Sequence, residues 1–127
     1  MKILLDTHIL LWAAADTLPA HAARYILDDS NDLFFSTASI WEVVIKQGLK
    51  RDDFNADPHL LYSALTDNGY EELHITSEHT LLTGTLPMIH KDPFDRILVA
   101  QSIAEGISLL TSDELIASYP APVILVK

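Results

Sequence analysis

The sequence predicts an α/β fold, a sandwich of helices around a mostly parallel sheet. Three observations carry this. Short strand candidates alternate with helical stretches along the 127 residues. The strand candidates are apolar on both faces, as a sheet covered on either side requires. Cap and stop signals separate the elements, and no repeat, low-complexity tract or linker interrupts them.

Lys2 to Leu5 reads as a buried strand ending at Asp6. Ile9 to Ala15 has helical character, with Asp6 or Thr7 as its cap. Leu18-Pro19 marks a break before a second helix, Ala20 to Leu27. Leu33 to Phe35 is the second strand. Ser36 and Thr37 offer caps to a helix carrying Ile40, Trp41, Val44 and Ile45, with Gly48 as its terminator. Lys50 to Asp57 is polar and reads as a loop. Pro58 suits the first turn of a helix that Asn68-Gly69 stops. Glu71 to Ile75 is the third strand, and Ser77 caps a short helix running to Leu86. Asp92-Pro93 opens a helix through Glu105, stopped by Gly106. Ile107 to Leu110 is the fourth strand, Asp113 to Ser118 a short helix, and Pro122 to Val126 the last strand.

Composition narrows the function. Eighteen acids oppose eight bases, a formal net charge of −10. A protein gripping nucleic acid with a broad basic face would show the opposite balance. An anionic substrate must then be met locally, by a few bases or by bound cations; alternatively, the acids form a solubilising surface. With no cysteine, disulfides, thiolate nucleophiles and cysteine-based zinc sites are excluded, which suits a reducing cytoplasm. The longest apolar run, Ile9 to Ala15, is too short to span a membrane, and Asp6 interrupts any signal-peptide pattern.

Right-handed crossovers place the strand-to-helix junctions of such a sheet along one edge, where ligands bind. Asp6 follows the first strand and Thr111-Ser112-Asp113 the fourth. Asp95 lies in the first turn of the Asp92 helix and Glu42 on the helix after the second strand. Four carboxylates that converge repel one another unless a cation compensates them. Oxygen ligands suit Mg²⁺ or Mn²⁺, which can activate water and stabilise a phosphodiester under in-line attack. Each acid also has a plain structural role open to it. Asp6, Asp92 and Asp113 are natural helix caps, Asp95 could close a capping box at the third helical position, and Glu42 could sit on a solvated face.

The combined pattern is Leu4-Leu5-Asp6-Thr7-His8, Ser39-Ile40-Trp41-Glu42-Val43, His90-Lys91-Asp92-Pro93-Phe94-Asp95-Arg96 followed by Val99-Ala100-Gln101, and Thr111-Ser112-Asp113. It resembles the PIN-domain ribonucleases, and among them the VapC-type toxins of bacterial toxin–antitoxin pairs. The resemblance runs through nearly the whole chain, in order. It implies a single PIN-like domain over 1–127, a three-layer α/β/α sandwich around a small parallel sheet. It implies a Mg²⁺- or Mn²⁺-dependent endoribonuclease in the cytoplasm, with an RNA substrate, a cognate antitoxin protein and a homodimeric state, and no membrane. Asp6, Glu42, Asp95 and Asp113 match the family's catalytic and metal-binding acids. Thr7, Ser39, Thr111 and Arg96 are possible supporting residues, Arg96 either through substrate phosphate or, equally, through a structural salt bridge with another acid. Where the family commonly places an aromatic after the last acid, this chain has Glu114-Leu115-Ile116.

Two rival readings come from other classes. One is a catalytically silent PIN-like binding module whose acids are caps and surface charge; an intact set of four argues against it. The other is phosphotransfer through an aspartyl-phosphate on Asp6, but the haloacid-dehalogenase pattern wants an Asp where this chain has His8. His8 and His90 are candidates for metal ligation or proton transfer, or structural hydrogen bonding. Trp12 and Trp41 are expected in the core or an interface rather than stacked on bases. Lys46, Lys50 and Arg51 form a basic cluster that either guides RNA or balances Asp52 and Asp53.

Overall fold

The computed structural model describes residues 1–49 and 56–127. Among these described residues, five strands and seven helices follow one another as β1 (Lys2–Leu5), α1 (Thr7–Ala14), α2 (Ala20–Ile26), β2 (Asp32–Ser36), α3 (Thr37–Gly48), α4 (Pro58–Asp67), β3 (Glu71–Leu73), α5 (Ser77–Thr83), α6 (Pro93–Glu105), β4 (Ser108–Thr111), α7 (Glu114–Ala117) and β5 (Val123–Leu125). The strands form one sheet in the order β3-β2-β1-β4-β5. Every neighbouring pair is parallel.

That order explains the layers. From β1 the chain moves outward to β2 and then β3, with α1 to α4 on one face. It then returns past β1 to β4 and β5, with α5 to α7 on the other. Right-handed crossovers in opposite directions must use opposite faces. Side chains of β1 alternate accordingly. Ile3 and Leu5 join a core with Ile9, Leu10, Val43, Leu61 and Leu65. Leu4 enters a second core with Leu98, Val99, Ala100, Leu109 and Ile116. The winding direction reverses between β1 and β4, and the carboxyl ends of those two strands flank the crevice in which such sheets hold ligands.

Local chemistry sets the ends of the elements. Pro58 and Pro93 each occupy the first turn of a helix, behind the caps Asp57 and Asp92. Gly69 and Gly106 end α4 and α6 in left-handed conformations, with φ of 83° and 66°. Gly106 is followed directly by the turn into β4, so a side chain there would strain the reversal. Gly48 differs from expectation. It is the last residue of α3, and Leu49 closes the helix with ordinary right-handed dihedrals. The cap of α5 is Thr76 rather than Ser77, because the His79 ring accepts the Thr76 N–H and completes a reciprocal cap. The helix is also shorter than expected, ending at Thr83. The expected loop over Lys50 to Asp57, and Lys50 and Arg51 of the basic cluster, fall almost wholly outside the described residues.

The second core fixes α6 against the sheet. Leu98 and Val99 are fully buried there, each worth about 1.5–3 kcal/mol of transfer free energy. That anchorage determines where the first turn of α6 stands relative to the ends of β1 and β4. Among the described residues, no helix is long and apolar enough to cross a membrane.

Candidate active site

Asp6 stands at the carboxyl end of β1. Its carboxylate caps α1, accepting from the Ile9 N–H at 2.9 Å. The second oxygen accepts from the hydroxyl of Thr111, the last residue of β4. Asp113 likewise caps α7 through one oxygen, 2.8 Å from the Leu115 N–H. For both residues, capping and a place in the site coexist, because a carboxylate has two oxygens.

Glu42 is brought in by the inner face of α3 and is 4% exposed, so the solvated-face reading does not hold. The Thr7 hydroxyl lies 2.6 Å from Glu42 Oε1 and 2.9 Å from Ser39 Oγ. A single hydroxyl proton favours the carboxylate, the stronger acceptor. The other oxygen of Glu42 is 2.7 Å from the Lys46 ammonium, one helical turn away.

Asp95 occupies the third position of α6, yet the capping box does not form. The Asp92 N–H, which that box would use, donates to Nδ1 of His90 at 3.2 Å. Asp92 itself caps the helix through the Phe94 N–H. Asp95 is left facing His90, 3.0 Å from Nε2. Asp113 Oδ2 lies 3.2 Å from the same nitrogen. Because Nδ1 accepts, Nε2 carries the proton, and one N–H bridges two carboxylates.

The electrostatics follow from this crowding. Burial, followed by the charges of Asp92, Glu42 and Asp6, pushes the Asp95 carboxyl up to about 7, with His90 opposing. Burial also raises Asp6, against the opposing hydrogen bonds from Thr111 and Ile9. A group of acids that disfavours its own ionisation is one that a cation would stabilise. His90, Asp95 and Asp113 bring their side-chain heteroatoms within 4.8 Å of one another, a spread that one ion could span by displacing the Nε2 proton. Asp6, Thr7 and Glu42 line the same cavity of about 220 Å³, together with Lys46. Hard oxygen donors converging at a pocket of this kind fit a divalent cation.

The structure thus gathers Asp6, Glu42, Asp95 and Asp113 from four parts of the chain, with Thr7, Ser39 and Thr111 bonded to them or to one another. Arg96 is not gathered with them. Its guanidinium donates to the carbonyls of Thr83 at 2.7 Å and Pro87 at 3.0 Å, and to the Tyr119 hydroxyl at 3.2 Å. It ties down the segment before α6 and lines a separate cavity, a structural role played through carbonyls and a tyrosine hydroxyl rather than through an acid. Trp12 packs against the first core, but Trp41 is 60% exposed, with its ring edge-on to Phe94 at 5.3 Å.

Sequence reasoning missed the brace behind His90. The Tyr119 hydroxyl accepts from the His90 N–H at 2.8 Å and lies 3.3 Å from the His90 carbonyl. Tyr119 is 29 residues away, and no local spacing signals that pairing. Lys46 in the cavity was legible, since a residue four places after Glu42 on a helix shares its face.

The arrangement is that of a known family. Residues 3–121 match the model of the PIN domain, and the chain belongs to that family. Solved structures share its architecture. A chain of VapBC2 from Rickettsia felis, bound to a DNA fragment from their promoter, superposes with a TM-score of 0.73 over 100% of both chains at 17% identity. DNA-bound VapBC from Salmonella typhimurium gives 0.68 at 16% identity, covering 98% of this chain and 97% of that one. VapBC-1 from nontypeable Haemophilus influenzae gives 0.65 at 14%, covering 98% of each. No functionally curated protein matches the chain significantly in sequence.

Proposed function

We propose that this chain is a metal-dependent endoribonuclease, the VapC-type toxin of a toxin–antitoxin pair, working with Mg²⁺ or Mn²⁺. The observation that carries the reading is the convergence of Asp6, Glu42, Asp95 and Asp113 at the switch point of the sheet. The VapBC likeness supports the toxin part of it.

Asp6, Glu42 and Asp95 would hold the first metal, with Asp113 assisting a second ion or orienting the attacking water. A divalent cation bound there lowers the pKa of water and offsets the charge on a phosphodiester. The chain's own work is positional. Thr111 fixes one oxygen of Asp6 and Thr7 one oxygen of Glu42. His90 holds Asp95 and Asp113 together with one N–H. No side-chain nucleophile is needed, and both Asp6 oxygens already accept hydrogen bonds, which disfavours an aspartyl-phosphate. The acidic cavity also suits inhibition by a cognate antitoxin presenting a basic segment, and the toxin would act as a homodimer.

The test is cleavage of a mixed structured RNA pool by antitoxin-free protein with Mg²⁺, Mn²⁺ or EDTA, beside Asp95→Asn. Metal-dependent cleavage lost in the variant is expected. Equal activity of both proteins would remove Asp95 from the site. No cleavage by either, over many RNAs, would favour the silent binding module.

A further inference from the structure

We infer that Lys46 is a substrate-binding residue of this site, an ammonium that passes from Glu42 to a phosphate oxygen of the RNA strand. The inference rests on the nuclease reading and adds a residue to it.

A chain with a net charge of −10 repels RNA at long range. Cations bound by the carboxylates offset that only at the reacting phosphate. A neighbouring phosphate needs a positive side chain inside the same cavity. Lys46 lines that cavity. Its side chain is 31% exposed, while that of Glu42 is 5% exposed, so the lysine joins the buried carboxylate to solvent. Arg96 is committed to carbonyls outside the cavity. The His90 ring already serves one backbone N–H and two carboxylates.

The ion pair with Glu42 is what makes the transfer favourable. In the metal-free protein Lys46 offsets a buried negative charge. A divalent cation held by that carboxylate would compete with the ammonium for it, and Lys46 would then be free to turn to an incoming anion. Lysine suits this, being a compact charge on a flexible four-carbon stem. Its place one helical turn from Glu42 keeps the ammonium within reach of both partners.

The experiment measures binding rather than turnover. A fluorescein-labelled, mixed-sequence 20-nucleotide RNA is titrated with wild type, Lys46→Met and Lys46→Arg. Ca²⁺ replaces Mg²⁺, and a gel checks that the strand stays intact. Each titration is repeated from 50 to 200 mM salt, and Mn²⁺ affinity is measured separately by calorimetry. Losing one phosphate contact should lower the slope of log Kd against log salt by about 0.7. Lys46→Met should also bind RNA at least about 10-fold more weakly at 0.1 M salt, the lower end of what one charge-assisted contact contributes. Lys46→Arg should stay within about 2-fold of wild type. Mn²⁺ affinity of Lys46→Met should hold or tighten, since a competitor for Glu42 is gone. An unchanged slope and Kd in Lys46→Met, with wild type binding normally, would overturn the inference and leave the nuclease reading intact. So would RNA affinity that falls only in step with a loss of Mn²⁺ affinity. Wild-type RNA binding indifferent to divalent cation would instead count against the nuclease reading.

Discussion

Acidic residues gather at both edges of this sheet, and the two gatherings behave oppositely. At the amino edge, Asp28, Asp29, Asp32 and Glu71 line an open pocket beside the starts of β2 and β3. All four are exposed. Asp28 accepts from the Ser30 hydroxyl at 2.7 Å and the Ser30 N–H at 3.0 Å, and those bonds hold its carboxyl below the usual range. At the carboxyl edge, Asp95 is lifted to about 7 by burial and neighbouring acids. Charge counting treats the two edges alike. Burial separates them: water stabilises one set, while the other depends on threonine, histidine and lysine partners and on whatever cation enters. An unfavourable environment is what marks the carboxyl-edge acids as candidates for function.

The most forceful way to break this comparison is to neutralise one acid of the carboxyl edge. Asp95→Asn keeps the side-chain shape and should fold. Metal-dependent RNA cleavage is expected to fall at least about 100-fold, because the proposed metal site would lose a ligand charge. Initial rates with saturating Mg²⁺ check this; activity within a few fold of wild type would place the chemistry elsewhere. Next in size is the support behind Asp6. Thr111→Val removes the hydroxyl donor while nearly keeping the volume. The expected loss is about 10- to 100-fold in Mn²⁺ affinity, the usual cost of deleting a group that orients a metal ligand. Calorimetric titration reads it directly.

The pH dependence sharpens the contrast further. Asp95 moves from its ordinary 3.8 to about 7 on folding. Between those values the folded metal-free protein keeps a proton that the unfolded chain has released. Its contribution to stability is full below pH 4 and is lost as pH rises through 7. Asp6, also raised, acts in the same direction. The metal-free protein should therefore gain less from Asp95 and Asp6 at pH 8 than at pH 5. A cation favours the ionised carboxylates, so Mg²⁺ or Mn²⁺ should raise Tm more at pH 8 than at pH 5. At a concentration 100 times Kd the gain is about 2.7 kcal/mol. A metal-induced shift that is equal at both pH values would mean that the ions bind other groups.

Much of this was legible in the residues, for physical reasons that can be named. β1, β2 and β4 announce themselves as apolar runs, and Pro58, Pro93, Gly69 and Gly106 punctuate the helices because their dihedral preferences act locally. Asp6 and Asp113 were placed at one edge by topology alone, since a parallel sheet puts every strand's carboxyl end there. What stayed hidden is tertiary. The Thr111–Asp6 bond joins residues 105 positions apart. Capping of α5 by Thr76 depends on a fully buried histidine whose other nitrogen lies 2.9 Å from Glu105. The competition by which His90 takes the Asp92 N–H from Asp95 is also invisible in spacing, because a capping box and a free carboxylate share one local sequence. Arg96 stands apart from the site for the converse reason. Adjacency to Asp95 in sequence turns a helical residue about 100° away, towards the segment before α6.

The smallest expected effect tests the amino edge. Asp28→Asn removes one charge but keeps an oxygen that can accept from Ser30, so the turn into β2 should persist. If that edge is only a solvated face, cleavage rate and Mn²⁺ affinity should match wild type. Because the Asp28 carboxyl is lowered on folding, its charge adds stability above about pH 4, and that increment disappears as pH falls through the folded value. The substitution should thus lower Tm by no more than about 2 °C at pH 7 and by less near pH 3. Thermal scans at the two pH values, run beside an Mn²⁺ titration, decide it. A loss of metal affinity in Asp28→Asn would show that exposed acids far from the switch point also collect ions, and burial would no longer be what separates the two edges.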